Sequence, residues 1–237
     1  MSHQLAFAAL VAAAALRYRP AGRSAYYFAR GKLGGDPVFA AILRQGLIPD
    51  RARVIDLGCG QGVLLALLAT AGDPRQGANW PRGLPPLPRD TTVRGVDLRA
   101  EAIEAARIAL GHGAEVSVGD VRDARLAECD VVTILDVLHY IDFDAQVRLL
   151  ERVHAALVPG GRLLLRAGDA SRGWRFRFTL ACDGLITLFR GSLQRRFYCR
   201  RGAEWLALLR QVGFDAQIQP MCAGTPFANV LLVGRRP

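Results

Sequence analysis

Four aspartates recur at equivalent points in this chain, and carboxylates so placed could hold a cation, accept hydrogen bonds from sugar hydroxyls or receive an exocyclic amine. Asp56 lies near the end of the apolar run Arg53-Val54-Ile55-Asp56-Leu57; Asp97 ends the run from Thr91, Asp136 the run from Asp130, and Asp120 closely follows Ala114 to Val118. After the first run come Gly58-Cys59-Gly60-Gln61-Gly62 and then the apolar stretch Val63 to Leu68. This order reads as a buried strand, a tight turn and a helix start. Glycines in such a turn let the backbone approach a ligand with no Cβ in the way, and the N–H groups that open a helix favour polar or anionic groups. The spacing is G-x-G-x-G, whereas a dinucleotide fingerprint needs a third glycine where Val63 stands.

Alternating strand-like and helix-like segments position these residues. The run Leu5 to Leu16 is too short to span a bilayer, and Met-Ser-His-Gln before it lacks a basic leader, so a packed helix is expected. Asp36 before Pro37 predicts a helix start, continuing through Val38, Phe39, Ile42 and Leu43 to Gly46. Residues 71–90 are dense in Pro, Gly and Arg; they read as a surface insertion without helix or strand, with Trp80 holding it to the body. Helices are expected over Ala100–Leu110, Asp144–Leu157 and Ala203–Val212. A Pro159-Gly160-Gly161 break should precede a strand Arg162–Arg166, and closing strands are expected near Phe214–Gln219 and Asn229–Val233. This is an α/β pattern, and in an open α/β sheet ligands bind outside the carboxyl ends of the strands, which would bring the four acids to one side.

A chain of 237 residues suits one α/β domain with a substantial core. Its five cysteines are odd in number and scattered, with no C-x-x-C pair, so neither a metal nor a disulfide framework is expected and a reducing cytoplasm fits. The formal charge of +10 would suit nucleic acid, an acidic membrane surface or an acidic protein. Lys32 is the only lysine, however, and an arginine excess beside abundant alanine also follows from codon bias in a GC-rich genome.

Asp56 separates the candidate ligands. A carboxylate there would repel a pyrophosphate but would suit a molecule carrying an ammonium and a sulfonium, as S-adenosylmethionine (SAM) does. The glycine turn and the four acids resemble the motifs of class I SAM-dependent methyltransferases, motif by motif over about residues 50–168. The resemblance implies a Rossmann-like fold with a seven-stranded, mostly parallel sheet and a C-terminal antiparallel hairpin. Residues 1–48 would form helices that fold over the cofactor as a lid, and residues 49–237 the core. It further implies that Asp56, Gly58 and Gly60 hold the methionine part of SAM, Asp97 the ribose, and Asp120 with Val121 the adenine, with Cys59 and Leu98 also among the cofactor-binding residues. Asp136, His139 and Tyr140 would then lie by the sulfonium and the acceptor. Simpler roles exist for each acid: Asp56 as a turn acid, Asp97 and Asp120 as helix caps.

Methyl transfer displaces a neutral thioether, so alignment of acceptor, methyl and sulfur does most of the work, and a base is needed only where the acceptor carries a proton. His139 is the candidate base and Tyr140 an orienting group; His154, inside a helix, reads as a surface residue. Tyr27 and Lys32 are lid candidates for touching substrate. Arg166 and Asp169 follow the fifth strand, where family members often meet substrate, though a salt bridge or a loop turn would equally account for them. Asp136-Val137-Leu138-His139 lacks the Asn/Asp-Pro-Pro-Tyr pattern of enzymes that methylate amino groups of bases, which argues against nucleic acid.

Residues 171–201 interleave Trp174, Phe176, Phe178, Phe197 and Tyr198 with arginines that include Arg172, Arg175, Arg177, Arg190 and Arg195. The aromatic residues could wall an apolar pocket while the arginines face an acyl carrier protein, lipid headgroups or phosphate, though a lid helix with a solvated basic face would equally account for the segment. Together with Tyr27 to Pro37, the segment is similar to stand-alone methyltransferases of bacterial aryl polyene pigment clusters. The expectation is methyl transfer from SAM to a small phenolic or lipid-like acceptor, free or carrier-bound, in the cytoplasm or at the inner membrane face. A catalytically silent SAM-binding partner subunit and a basic nucleic-acid-binding protein on the same fold are the alternatives.

Overall fold

Two helix starts illustrate how local chemistry sets the elements. Asp36 Oδ1 accepts from Val38 N at 3.2 Å, and Pro37 occupies the first helical position, where a missing N–H costs nothing. Asp142 caps the helix that follows it in the same way, accepting from Ala145 N at 2.8 Å. The computed structural model describes residues 3–78, 80–189 and 196–237, with no side-chain description for 183 and 185–189; the expectations for Arg190 and Arg195 lie outside the described residues.

In chain order the elements are α1 (His3–Leu16), α2 (Arg23–Gly35), α3 (Pro37–Arg44), β1 (Arg53–Leu57), α4 (Val63–Ala71), α5 (Pro74–Ala78), β2 (Thr92–Asp97), α6 (Ala100–Leu110), β3 (Ala114–Val118), β4 (Cys129–Leu135), α7 (Phe143–Ala156), β5 (Leu157–Gly168), α8 (Gly173–Phe189), α9 (Gly202–Val212), β6 (Asp215–Pro220) and β7 (Asn229–Arg235). The strands form a seven-stranded sheet in the order β3-β2-β1-β4-β5-β7-β6. β1, β2 and β3 pair in parallel, with Asp56 opposite Gly95 and Asp97 opposite Val118, whereas β7 runs antiparallel to both β5 and β6. This is the sheet, with its closing antiparallel hairpin, that the resemblance implies.

By internal contacts the chain divides into a unit of residues 1–125 and 129–131 and a unit of residues 126–128 and 132–237. The first has its core in α4, whose Leu64, Leu65, Leu67 and Leu68 are buried, and in the inner face of α1, where Phe7, Leu10, Val11 and Ala14 are buried. Burying a leucine contributes about 2 kcal/mol, so these two helices supply much of that unit's stability. Among the described residues no helix is long and apolar enough to cross a membrane. The second unit has its core along β5 and β7, with Leu163, Leu164, Leu165, Leu231 and Leu232 buried, and beneath Trp205 of α9.

Three expectations need correction. The insertion after α4 does form a helical turn, α5, because Asp73 Oδ1 caps Arg75 N at 2.9 Å and Pro74 starts it; capping outweighs the local Pro and Gly content over so short a span. Trp80 is buried and donates from Nε1 to Pro85 O at 2.9 Å, which ties the rest of that loop down. Strand β5 does not wait for the Pro159-Gly160-Gly161 triplet to end but runs through it, because Gly160 N donates to Arg236 O and Arg236 N to Gly161 O. His154 is half-buried rather than a surface residue, with its ring edge-on to Phe214 at 4.9 Å and close to Gly213.

Candidate functional site

The first unit gathers the glycine turn and two buried acids. Gly58, Gly60 and Gly62 all have left-handed φ, +77°, +58° and +70°, which a side chain would strain. The turn is stitched to β2: Gly58 N and Cys59 N both donate to Val96 O, at 2.8 and 3.0 Å, and Gly60 N donates to Asp97 Oδ2 at 2.9 Å. The other oxygen of Asp97 accepts from Arg99 N and Nε, at 3.0 and 3.2 Å. The N–H groups of Gly58, Cys59 and Gly60 are therefore engaged within the protein. Gly95 makes room for Cys59, since a Cβ on Gly95 would stand 2.8 Å from Cys59 Sγ. Burial pushes the Cys59 thiol far above its usual range, and the carboxylates of Asp56 and Asp97 add to the effect.

Asp56 and Asp97 are 4% and 8% exposed, while Leu98 is 65% exposed. Gly119 N donates to Asp97 O at 3.0 Å, which brings the Asp120 loop to the end of β2. Arg122 folds back on Asp120 through its backbone N–H, Nε and Nη2, and these contacts hold the Asp120 carboxyl below the usual range. Val121 is buried. Of the lid candidates, Tyr27 is exposed, and Lys32 Nζ pairs at 2.8 Å with Asp36, the cap of α3.

Three glycines without side chains, two buried carboxylates and a third at the next strand end suit a ligand with a cationic head, vicinal hydroxyls and an amino-bearing ring. A carboxylate offers about four acceptor sites, and the three bonds on Asp97 leave capacity for a hydroxyl. The residues present thus fit SAM.

In the second unit Asp136 follows β4 with φ +60°, a left-handed conformation that aspartate tolerates better than most residues. Its backbone N donates to Arg166 O at 3.2 Å, and its carboxylate receives Arg166 Nε at 2.8 Å together with Nη2 of the same guanidinium. Arg166 is 1% exposed, so its forked donors are committed to Asp136, in line with the salt-bridge account of this residue. His139 is also buried; its ring lies 4.0 Å from that of Tyr140 and 5.7 Å from that of Phe197. Burial lowers the His139 pKa to about 4, against a smaller opposing pull from Asp136, so the imidazole is neutral at physiological pH.

Asp169 ties its own loop to the start of α9, accepting from Ser171 N, Ser171 Oγ and Gly202 N. Burial alone would raise its carboxyl, but these hydrogen bonds and that of Arg172 hold it low. Trp174 is 69% exposed at the start of α8.

Tyr18, Arg99 and Gln146 were not singled out by the sequence. Gln146 is fully buried; its Nε2 donates to Leu138 O, Ile141 O and Tyr198 O while Oε1 accepts from Arg200 Nε. It thereby joins the segment after α8 to the turn that carries His139, and Tyr198 N donates to His139 O at 2.9 Å. The available signal was a lone amide on the apolar face of α7, among Ala145, Leu149 and Leu150.

The chain is 32% identical over 144 residues to the carboxy-S-adenosyl-L-methionine synthase of Campylobacter curvus, covering 59% of this chain and 52% of that protein. It is 27% identical over 136 residues to the ubiquinone biosynthesis O-methyltransferase of Xanthomonas axonopodis pv. citri, covering 55% and 48%. It therefore spans about half the length of the curated relatives it matches. Among solved structures it resembles the magnesium protoporphyrin IX methyltransferase of Synechocystis with bound S-adenosylhomocysteine (SAH), with a TM-score of 0.55 at 18% identity over 84% of this chain and 80% of that one. A family model described as a methyltransferase domain matches residues 32–217, most of the chain, and with the glycine turn, strand-end acids and sheet order just described the chain belongs to the class I SAM-dependent methyltransferases, whose cofactor is SAM.

Proposed function

We propose that this protein transfers a methyl group from SAM to the oxygen of a small phenolic or lipid-like acceptor, free or delivered on an acidic acyl carrier protein, in bacterial pigment or secondary metabolism. Asp56 and the turn Gly58-Cys59-Gly60 would hold the methionine part, Asp97 and Leu98 the ribose, Asp120 and Val121 the adenine. SAM supplies an electrophilic methyl group on a sulfonium. The observation that carries the acceptor assignment is His139, a neutral imidazole buried beside Tyr140 and Phe197.

A base whose conjugate acid has a pKa of about 4 does not ionise a free phenol. It can accept a hydrogen bond from the hydroxyl and take the proton as the oxygen gains the methyl group and becomes strongly acidic, then release it to solvent. Asp136, held by Arg166, fixes the backbone just before His139, and Tyr140 orients the acceptor ring. The likeness to ubiquinone biosynthesis O-methyltransferases supports an oxygen acceptor. Exposed Trp174 and Phe178 beside Arg177 support contact with an acidic carrier or membrane surface.

The test is SAH formation over a panel of phenols and carrier-linked aryl acids, compared between wild type and His139→Asn. Turnover of a phenolic acceptor that falls at least tenfold in the variant, with SAH binding retained, supports the assignment. SAM binding without turnover of any acceptor would favour the silent partner subunit.

A further inference from the structure

Tyr18 lies ahead of residues 32–217, the part matched by the methyltransferase family model, yet it reaches the glycine turn. Its side chain is wholly buried and its hydroxyl donates to Gln61 O at 2.7 Å. The backbone fixes its position: Tyr18 N donates to Ala15 O and Tyr18 O accepts from Ala21 N, both at 3.0 Å. The adjacent Arg17 donates from Nε to Ala109 O at 3.0 Å, so consecutive residues fasten the end of α1 to the glycine turn and to the last turn of α6.

The carbonyl that Tyr18 holds matters because of its neighbours. Gln61 lies between Gly60 and Gly62, and glycine leaves the intervening peptide plane nearly unrestrained by its own conformational preferences. The Gln61–Gly62 peptide is instead held at both ends, its oxygen by Tyr18 and its N–H by Cys59 O at 2.8 Å. Gly62 is backed by Ala106 of α6, 3.1 Å from where its Cβ would stand.

We propose that Tyr18 is a positioning residue for the cofactor: its hydroxyl fixes the Gln61–Gly62 peptide so that the turn is organised before SAM binds. The proposal rests on the reading that this turn holds SAM. Preorganisation of this kind lowers the ordering cost of binding, so its loss appears in affinity rather than in the chemical step.

The experiment is calorimetric binding of SAH to wild type, Tyr18→Phe and Leu33→Ala, with hydrogen exchange of the ligand-free proteins. Tyr18→Phe keeps the ring and removes only the donor. Leu33→Ala opens a cavity under α2, where Leu33 is fully buried, and serves as a destabilised comparator. The expected result is a five- to tenfold higher Kd for Tyr18→Phe, roughly what one hydrogen bond contributes, with faster exchange at Gly62 N–H. Leu33→Ala should stay within about twofold of wild type in Kd despite its lower Tm, and Tyr18→Phe should raise KM for SAM without changing kcat at saturation. Unchanged SAH affinity in Tyr18→Phe, or an equal loss in Leu33→Ala, would overturn the proposal while leaving the cofactor reading standing. Failure of folded wild type to bind SAH would overturn both.

Discussion

Protonation of His139 should cost this protein stability well above the pH at which its carboxylates titrate. In the unfolded chain the imidazole has its ordinary pKa of 6.5, and in the folded protein burial lowers it to about 4. Below 6.5 the unfolded chain therefore binds a proton that the folded one refuses, and stability falls as pH falls, by about 1.4 kcal/mol per unit. With these two values the loss reaches about 2 kcal/mol near pH 5 and levels off near 3 kcal/mol below pH 4, a large share of the 5–15 kcal/mol typical of a domain. The stability contributed by the lowered carboxyls of Asp120, Asp130 and Asp169 is present above their ordinary value of 3.8 and is lost as pH falls below it, outside this window. Urea unfolding of wild type and His139→Phe at intervals from about pH 7 to pH 5 isolates the effect, because phenylalanine keeps an aromatic ring beside Tyr140 and cannot titrate. The wild-type curve should drop about 2 kcal/mol further than the variant's over that span. Parallel curves would refute the argument, showing that the imidazole is solvated or stabilised when charged.

Asp97→Ala removes the acceptor for Gly60 N and Arg99, and should cost about 1–3 kcal/mol of stability and weaken SAH binding more than tenfold by calorimetry; an unaltered Kd would remove Asp97 from the cofactor site. Arg166→Met strips Asp136 of its forked partner, and thermal unfolding should show a loss of about 2 kcal/mol, below the full cost of a buried pair because Asp136 is one-third exposed; Arg166→Lys should recover little of it, since an ammonium cannot make both contacts. Gly95→Ala would place a methyl group 2.8 Å from Cys59 Sγ and 2.9 Å from Leu65 Cδ1, with an expected penalty of about 1–3 kcal/mol in urea unfolding. Trp174→Ala should leave Tm within about a degree, as befits an exposed side chain, while raising KM for a carrier-linked acceptor.

Residues whose roles follow from near neighbours were readable in the sequence. The run into Asp56, the glycine turn and the apolar α4 are contiguous, so strand, turn and helix follow from periodicity and glycine content, and Asp36 before Pro37 marks α3 without tertiary information. What the sequence hid depends on distance along the chain. Tyr18 bonds a main-chain oxygen 43 residues away, and a carbonyl leaves no trace in the identity of its residue. The pairing of Arg166 with Asp136 requires knowing which ends of β4 and β5 meet, and until then Arg166 could equally have faced a substrate. The course of β5 through Pro159-Gly160-Gly161 likewise depends on Arg236 offering its backbone from the far end of the chain.

The burial of Cys59 has a practical consequence. Burial holds its thiol far above the usual range, and an unionised, buried thiol is a poor nucleophile, so alkylating reagents reach it during transient opening of the glycine turn. Cys182 and Cys199 are more accessible and will react first, after which the slow labelling of Cys59 becomes a clock for the turn itself. The protein thus carries a native spectator of its own glycine turn, readable by mass spectrometry without any added label.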